Sequence, residues 1–242
     1  MTVTPYKDNN LGKKQQVTAM FNNIAPKYDF LNHFLSLGID ILWRKKAIRL
    51  LKKHQPAPRY ILDIATGTGD FALEALALNP EKITGLDVSE GMLLVGREKI
   101  KRKNLQNKIE LILGDSENLP FDEKTYDAIT VGFGVRNFEN LNKGLYEMYR
   151  VLSSGGMLVV LEFSKPVKFP VKQIYNLYFM QVLPLIGNLI SKDNCAYTYL
   201  PESVNAFPDG KEFLDILEKN GFKETKCIPL FFGIASIYTG KK

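Results

Sequence analysis

"LDIATGTGD", residues 62–70, sets Gly67 and Gly69 directly behind a short apolar run. The residues leading in, "RYILDIA", read as a buried strand, and those leading out, "FALEALAL", as a helix. Glycine at a strand-to-helix turn permits a tight reversal and lets the backbone come close to a ligand. Taken alone, the stretch leaves that ligand open. Gly67-Thr-Gly-Asp-Phe-Ala72 satisfies the Ala-ending form of the dinucleotide fingerprint, and Asp87 stands at the end of the next strand, where a ribose-binding acid belongs. Local spacing therefore does not separate NAD from S-adenosylmethionine.

Working outward, the same alternation repeats. "KITGLDV" is a second strand, followed by Ser89 as N-cap and the helix "EGMLLVGREKIKRK". "IELILGD" and "YDAITVGF" are the third and fourth strands, "LNKGLYEMYRVL" a helix, and "GGMLVVLEFS" a fifth strand. Strands alternating with helices predict an α/β fold with a parallel, doubly wound sheet and ligands outside the carboxyl ends of the strands. The helix "KEFLDILEKN" then stops at Gly221, and "KETKCIPLF" and "GIASIYTG" follow too closely for a crossover, so they are predicted antiparallel. Upstream, residues 16–54 read as helical pieces broken near Pro26 and Gly38, with a basic, amphipathic last piece at Ile41–His54 and a polar, frayed 1–16. The chain reads as one domain, 1–242. Its parts are a helical cap (1–55), a cofactor-binding core (56–165), an irregular lid or insertion (166–208), and a closing helix and strand pair (209–242).

The 242 residues suffice for one large core, and 45% hydrophobic with 24% charged residues excludes disordered and collagen-like chains. The net charge of +6 comes from scattered lysines with clusters at Arg44–Lys46, Lys52–Lys53 and Lys99–Lys103. Such runs read as solvated helix faces, with a patch for anionic lipid or nucleic acid as the alternative. Cys195, Cys227, His33 and His54 have neither disulfide nor metal-ligand spacing, so no metal is expected. "MTVTPYKDNN" lacks the apolar core of a secretion signal. "LYFMQVLPLIGNLI", residues 177–190, falls short of the ~20 residues of a spanning helix and is interrupted by Gln181, Pro184, Gly187 and Asn188. A cytoplasmic, non-spanning chain is expected.

Three features favour the methyl donor over NAD. Asp63 lies beside the glycine turn and suits a cationic amino-acid moiety better than a pyrophosphate. Asp115 and Ser116, in "LILGDSENLPF", end the third strand where an adenine amino group can be read. The chain closes with a reversed strand pair. This set resembles the class I S-adenosylmethionine-dependent methyltransferases, which implies a Rossmann-like, seven-stranded, mainly parallel sheet with one antiparallel strand. Two longer segments, "YDFLNHFLSLGIDILW" (28–43) and "RVLSSGGMLVVLEFSKP" (150–166), together with "FGVRN" (133–137), resemble the signatures of the quinone C-methyltransferases that act on demethylmenaquinol or on the ubiquinone precursor. The likeness spans roughly residues 17–240. Departures are Asp40 for a usual histidine, Ser153–Ser154 for Lys-Pro, and Gly132 at a position often occupied by serine; Ala65 for the first motif glycine is normal in the family. Carried over, the resemblance implies donor binding by Thr68, Asp87, Asp115 and Ser116 beside the Gly67–Gly69 backbone, with Gly132 serving only through its backbone.

"TVGFGVRNF", residues 130–138, breaks a buried strand with two glycines and an Arg136–Asn137 pair. An aromatic carbon is a poor nucleophile until a neighbouring hydroxyl ionises, and for a phenol of pKa ≈ 10 that costs about 4 kcal/mol at pH 7. Arginine stays charged in any pocket. Arg136 is therefore expected to stabilise the quinolate and orient a water that takes its proton, Asn137 to fix the ring, and Tyr28, Asp29 and Asn32 to close the pocket. The competing reading pairs Arg136 with a surface acid such as Glu139 and makes Phe30 and Leu31 plain core residues. A prenylated quinol does not leave a bilayer freely, so contact with the inner face of the cytoplasmic membrane is expected. Residues 168–190 are read as a lid or tunnel for the prenyl chain, or else as a core or dimer-forming helix. A nucleic-acid methyltransferase is disfavoured because "GFGVRNF" is unlike a base-flipping motif. An NAD-dependent oxidoreductase and a non-catalytic donor-binding module are the other rivals. The substrate expectation is demethylmenaquinol, with 2-polyprenyl-6-methoxy-1,4-benzoquinol or another small-molecule acceptor as the alternative.

Overall fold

The computed structural model describes residues 3–7, 10–36, 38–177 and 195–242. Short apolar runs at regular spacing give β1 (Tyr60–Ile64), β2 (Lys82–Asp87), β3 (Ile109–Leu113), β4 (Tyr126–Gly132), β5 (Leu152–Phe163), β6 (Lys223–Leu230) and β7 (Ala235–Lys241). They form one sheet in the order β3-β2-β1-β4-β5-β7-β6. The first five strands pair in parallel, and β7 runs antiparallel to both β5 and β6. The four residues between β6 and β7 are too few for a parallel crossover, so the reversal is forced by chain length. The expected mainly parallel seven-stranded architecture is what the chain adopts.

The helices are α1 (Lys13–Ile24), α2 (Tyr28–Leu35), α3 (Ile39–His54), α4 (Asp70–Ala75), α5 (Glu90–Arg102), α6 (Leu141–Val151), α7 (Val171–Leu177), α8 (Cys195–Ala206) and α9 (Lys211–Lys219). Successive strand residues face opposite layers. Ile61, Val159 and Leu161 pack with Ala47 and Leu51 of α3, Phe71 of α4 and Leu93 of α5. Leu62, Leu158 and Val160 pack with Leu145 and Met148 of α6 and Phe213 and Leu217 of α9. A third cluster joins Val17 and Met20 of α1 to Tyr175 of α7 and Ala196 and Tyr199 of α8. It sits beside the carboxyl end of β5, because Ile234, just before β7, packs against it.

Ser89 is the predicted N-cap: its hydroxyl accepts from the Met92 amide at 3.3 Å. Three expectations need correction. Residues 13–16 are helical rather than frayed, because Gln16 is buried, donating to the Leu11 carbonyl at 2.7 Å and accepting from the Tyr6 amide at 2.9 Å. "FALEALAL" is regular only to Ala75; Leu76–Leu78 tighten into a 3-10 turn ending at Asn79 with φ +53°. The insertion at 166–208 is not wholly irregular, since it contributes α7 and α8. The greater part of its apolar stretch, residues 178–190, lies outside the described residues, so the lid reading of that part does too. Among the described residues no helix is long and apolar enough to cross a membrane.

Candidate active site

The turn after β1 is held open by backbone conformation. Gly67 and Gly69 have φ of +57° and +83°, a region costly for side chains. Ala65 enters the same region at +52° with its Cβ in place, at a cost of roughly 1–2 kcal/mol. Asp87, at the end of β2, braces the loop: one carboxylate oxygen accepts from the Gly67 amide at 2.8 Å and the other from the Ser89 amide at 2.9 Å. Helix α5 comes close to the loop at Gly96, where a Cβ would lie 2.6 Å from Leu111 Cδ1 and 3.1 Å from the Thr68 backbone.

A cleft of about 650 Å³ opens beyond these strand ends, at the β1/β4 switch point. It is lined by Gly67, Asp87, Asp115, Ser116 and Gly132, all singled out from sequence, and by Asn137. At Gly132 a Cβ would meet Phe71 Cδ1 at 2.9 Å, so the serine common at that position would displace the ring. Helix α1 supplies what the sequence reading missed. Lys14 Nζ lies 2.8 Å from Asp115 and 3.2 Å from Glu117, and Asn22 Oδ1 accepts from the Ser89 hydroxyl and the Gly91 amide, each at 2.8 Å. The cleft is concave, with carboxylates and backbone amides among mixed apolar walls, the kind of lining small-ligand sites carry.

Asp63 lies beside the glycine turn, as expected, but beneath it and not in the large cleft. It is fully buried beneath the loop, with its oxygens accepting from Thr66 and Thr130 hydroxyls at 2.6 Å each. It borders a separate cavity of about 400 Å³, along with Gly67, Thr68, Tyr28 and Asn32. Burial pushes its pKa up to about 6. A raised carboxyl pKa favours the protonated fold, so its contribution is complete below the ordinary value and is lost as pH rises through about 6. The loss amounts to roughly 3 kcal/mol at 1.36 per pKa unit. Asp63→Asn is accordingly expected to flatten the dependence of Tm on pH between about 4 and 6. An unchanged slope in melting curves taken across that window would remove Asp63 as its source.

Asp29 is also corrected. Tyr28 and Asn32 are one helical turn apart and share a face, whereas Asp29 is rotated away. Its carboxylate accepts from Thr68 Oγ1 at 2.5 Å and pairs with Lys99 at 2.6 Å. Lys99 also meets Asp70 at 2.7 Å and is only 17% exposed, so this member of the Lys99–Lys103 cluster is no solvated charge. Arg44 likewise is buried against Asp40 at 2.6 Å, and Asp40 also accepts from Ser36 and meets His33. These ion pairs fasten the helical cap to the start of α4. Phe30 is 63% exposed, against the core alternative for that residue.

Arg136 faces a third cavity, of about 630 Å³, with Tyr28, Asn32, Phe21, Phe163, Tyr199 and Leu200 among its lining. Its partner is not Glu139. Nη1 donates to Glu162 Oε1 at 2.7 Å and to the Phe133 carbonyl, in a pair whose side chains are 8% and 0% exposed. The guanidinium lies 5.5 Å from the Phe163 ring centre, and its buried Nε has no partner among the described residues. Burial raises the Glu162 pKa, against the opposing pull of Arg136. An acid inside the apolar run "MLVVLEF" is the same anomaly that marks Arg136, and was the signal available for it. Asn137 bridges the cavities: it lines the large cleft and accepts from the Tyr199 hydroxyl at 3.1 Å. Burial lifts the Tyr28 and Tyr199 phenols to about 12, so both remain hydrogen-bond donors at neutral pH.

Tyr28 and Phe133 border all three cavities. Phe133 does so from a left-handed backbone at φ +58°, the strained geometry that clusters at functional sites. Two cavities of mixed lining and one largely apolar, aromatic-rich cavity thus share these two residues.

The chain is 51% identical over 242 residues to the demethylmenaquinone methyltransferase of Bacteroides fragilis, covering 99% of this chain and 97% of that protein. It is 46% identical to that of Porphyromonas gingivalis over 99% and 98% of the two chains. With the ubiquinone/menaquinone biosynthesis C-methyltransferase UbiE of Geotalea daltonii it shares 45% identity over 95% and 97%. Among solved structures, a SAM-dependent methyltransferase of Thermotoga maritima, described as a possible histamine N-methyltransferase, superposes with a TM-score of 0.64 at 19% identity. That match covers 93% of this chain and 99% of that one, and supports the fold. The sequence model of the ubiE/COQ5 methyltransferase family matches residues 9–242, from the start of the cap to the last residue. Cap, glycine turn and reversed strand pair thus fall within one match, and the chain belongs to the ubiE/COQ5 methyltransferase family.

Proposed function

We propose that this protein methylates a ring carbon of a prenylated quinol, demethylmenaquinol giving menaquinol, with S-adenosylmethionine as donor. The observation that carries the reading is the meeting of the three cavities at Tyr28 and Phe133, with Arg136 in the aromatic one. Demethylmenaquinol is preferred over the ubiquinone precursor because the relatives at 46–51% identity carry the menaquinone name alone. Those named for both quinones stand at 42–45%.

Asp87 would hold the donor's ribose, Asp115 and Ser116 its adenine, and the cavity bordered by Asp63 and Thr68 its amino-acid end. A cation beside Asp63 would offset the burial that raises its pKa. When bound, the donor supplies a methyl group already activated on a sulfonium. Arg136 offsets the charge that develops on the quinol oxygen, where a low-dielectric setting strengthens the interaction. Tyr28 and Asn32 hold the ring from the cap side, and Phe21 and Phe163 exclude water. Holding the partners in line supplies ~7–11 kcal/mol of the barrier. Incubation of the pure chain with labelled donor and short-tailed demethylmenaquinol, then with the ubiquinone precursor, tests the reading by product mass. Methylation of neither quinol would overturn it.

Membrane contact follows from the substrate's tail. Val167 and Phe169 on one loop and Phe231 and Phe232 on another are more than half exposed. The loops adjoin: Ser164 donates to the Gly233 carbonyl at 2.9 Å. Phe163, at the root of the first, lines the Arg136 cavity. Lys168 and Lys172 flank this apolar tip, which suits an anionic lipid surface. Flotation with anionic vesicles is expected to fall when Phe231 and Phe232 are both replaced by serine. Flotation indifferent to that change and to lipid charge would count against the contact.

A further inference from the structure

Glu162 is a fully buried carboxylate paired with Arg136, which lines the aromatic cavity, and the chemistry above gives it no task. Its side chain is fully enclosed, yet Oε1 accepts from Arg136 Nη1 at 2.7 Å, the Arg136 amide lies 3.4 Å from Oε2, and its own strand neighbour Phe163 donates an amide to Oε1 at 2.9 Å. A carboxylate and a guanidinium so placed cancel. With both ionised, the pair offers little net charge to a quinolate, and a quinolate formed beside it would leave one negative charge buried without a counterion. Among the described residues the buried Nε of Arg136 has no partner, so the guanidinium has capacity beyond its ion pair.

We propose that Glu162 is a positioning residue that also compensates charge: it aims Arg136 at the acceptor and takes up one proton as the quinol oxygen gives one up. This inference rests on the quinol reading above. In balance, the quinol O–H bond breaks, its electron pair stays on oxygen and is shared with the ring carbon, and the proton comes to reside on Glu162. The ring carbon then bonds the methyl group as the donor's sulfur–methyl bond breaks and its electron pair returns to sulfur. That carbon's hydrogen leaves to water as a proton, the ring regains aromaticity, and Glu162 returns its proton to the oxygen. Protein and substrate together keep the same net charge as the oxygen ionises, so no uncompensated charge is left beside the buried pair.

Other groups facing the pair are less suited. Tyr28 from α2, Tyr175 from α7 and Tyr199 from α8 are phenols whose burial raises their pKa, so they stay protonated and cannot take up the quinol's proton. Lys13 from α1 is lowered to about 8 by burial and by Arg136, and is committed to the Arg136 and Phe138 carbonyls at 2.9 Å each. Asp209 pairs with Lys165 at 2.9 Å.

The test compares Glu162→Gln with the unaltered chain. Where Glu162 holds the proton, turnover of the unaltered chain is nearly flat around neutral pH. In E162Q the proton must go to solvent, so kcat is expected to be about a hundredfold lower at pH 7 and to recover about tenfold per pH unit, with donor affinity unchanged. A profile parallel to that of the unaltered chain would reduce Glu162 to packing and overturn the proposal. Because E162Q leaves a buried guanidinium unpaired and is prone to misfold, a second measurement uses the unaltered chain. Its complex with S-adenosylhomocysteine and demethylmenaquinol should show a protonated carboxyl stretch in the infrared difference spectrum that shifts with ¹³C-glutamate labelling. Absence of that band overturns the proposal whatever the variant does. Failure of the unaltered chain to methylate any quinol would instead strike the quinol reading, so the two failures are distinguishable.

Discussion

Arg136→Lys is expected to bind S-adenosylmethionine as the unaltered chain does and to lose turnover by about a thousandfold. Ionising a phenol of pKa ≈ 10 at pH 7 costs about 4 kcal/mol, and 1.36 kcal/mol is a factor of ten in rate. Loss of most of that compensation is therefore a loss of about three powers of ten. Lysine keeps the charge, so the change isolates geometry. The guanidinium reaches Glu162 and the Phe133 carbonyl through Nη1 while stacking near Phe163. An ammonium is a compact point charge without that planar fork, and drawn to Glu162 it would retreat from the cavity. Donor affinity should survive because Arg136 lines the aromatic cavity and not the cleft of Asp87 and Asp115. Turnover by product mass and donor Kd by calorimetry decide the matter. A variant within tenfold of the parent rate would remove Arg136 from the chemistry.

Asp87→Ala should act on the other compartment, weakening donor binding by about a hundredfold to ten-thousandfold. Hydrogen bonds to a charged group are worth about 1.5–3 kcal/mol each, and a carboxylate at the ribose accepts two. The same carboxylate holds the Gly67 and Ser89 amides, so its removal also loosens the loop that approaches the donor. The chain should still fold: β2 is paired along its length to β1 and β3, and the fully buried strand residues Ile83 and Gly85 remain. The expected signature is a raised donor Kd and KM, with kcat at saturating donor reduced far less than in R136K. Unaltered donor affinity by calorimetry would show that Asp87 only braces the turn.

The two variants separate what was legible from what was not. Asp87, Asp115 and Ser116 stand at strand ends, where a run of alternating apolar residues announces both the strand and the point at which it stops. Gly67 and Gly69 mark a tight turn because they stand between a strand and a helix. Arg136 was legible as a charge in an apolar setting. Asp29, by contrast, was grouped with Tyr28 and Asn32 because they share a segment, and helical rotation turned it toward Thr68 and Lys99 instead. Lys14 and Asn22 belong to a helix whose pattern says only that one face is apolar, and nothing local tells which strand ends it will cover. Glu162 carried the same anomaly as Arg136 but was passed over inside a family signature.

The order of strands and helices, the reversal between the last two strands and the location of the glycine turn follow from sequence by itself. Each depends on contacts within a few residues or on connections too short to run otherwise. Which charges cancel, and which face a cavity, is decided only by the fold. Glu162 meets Arg136 and α1 meets Asp115 across the sheet's carboxyl edge, and Coulomb energy depends on distance and burial, neither of which the linear spacing of residues contains.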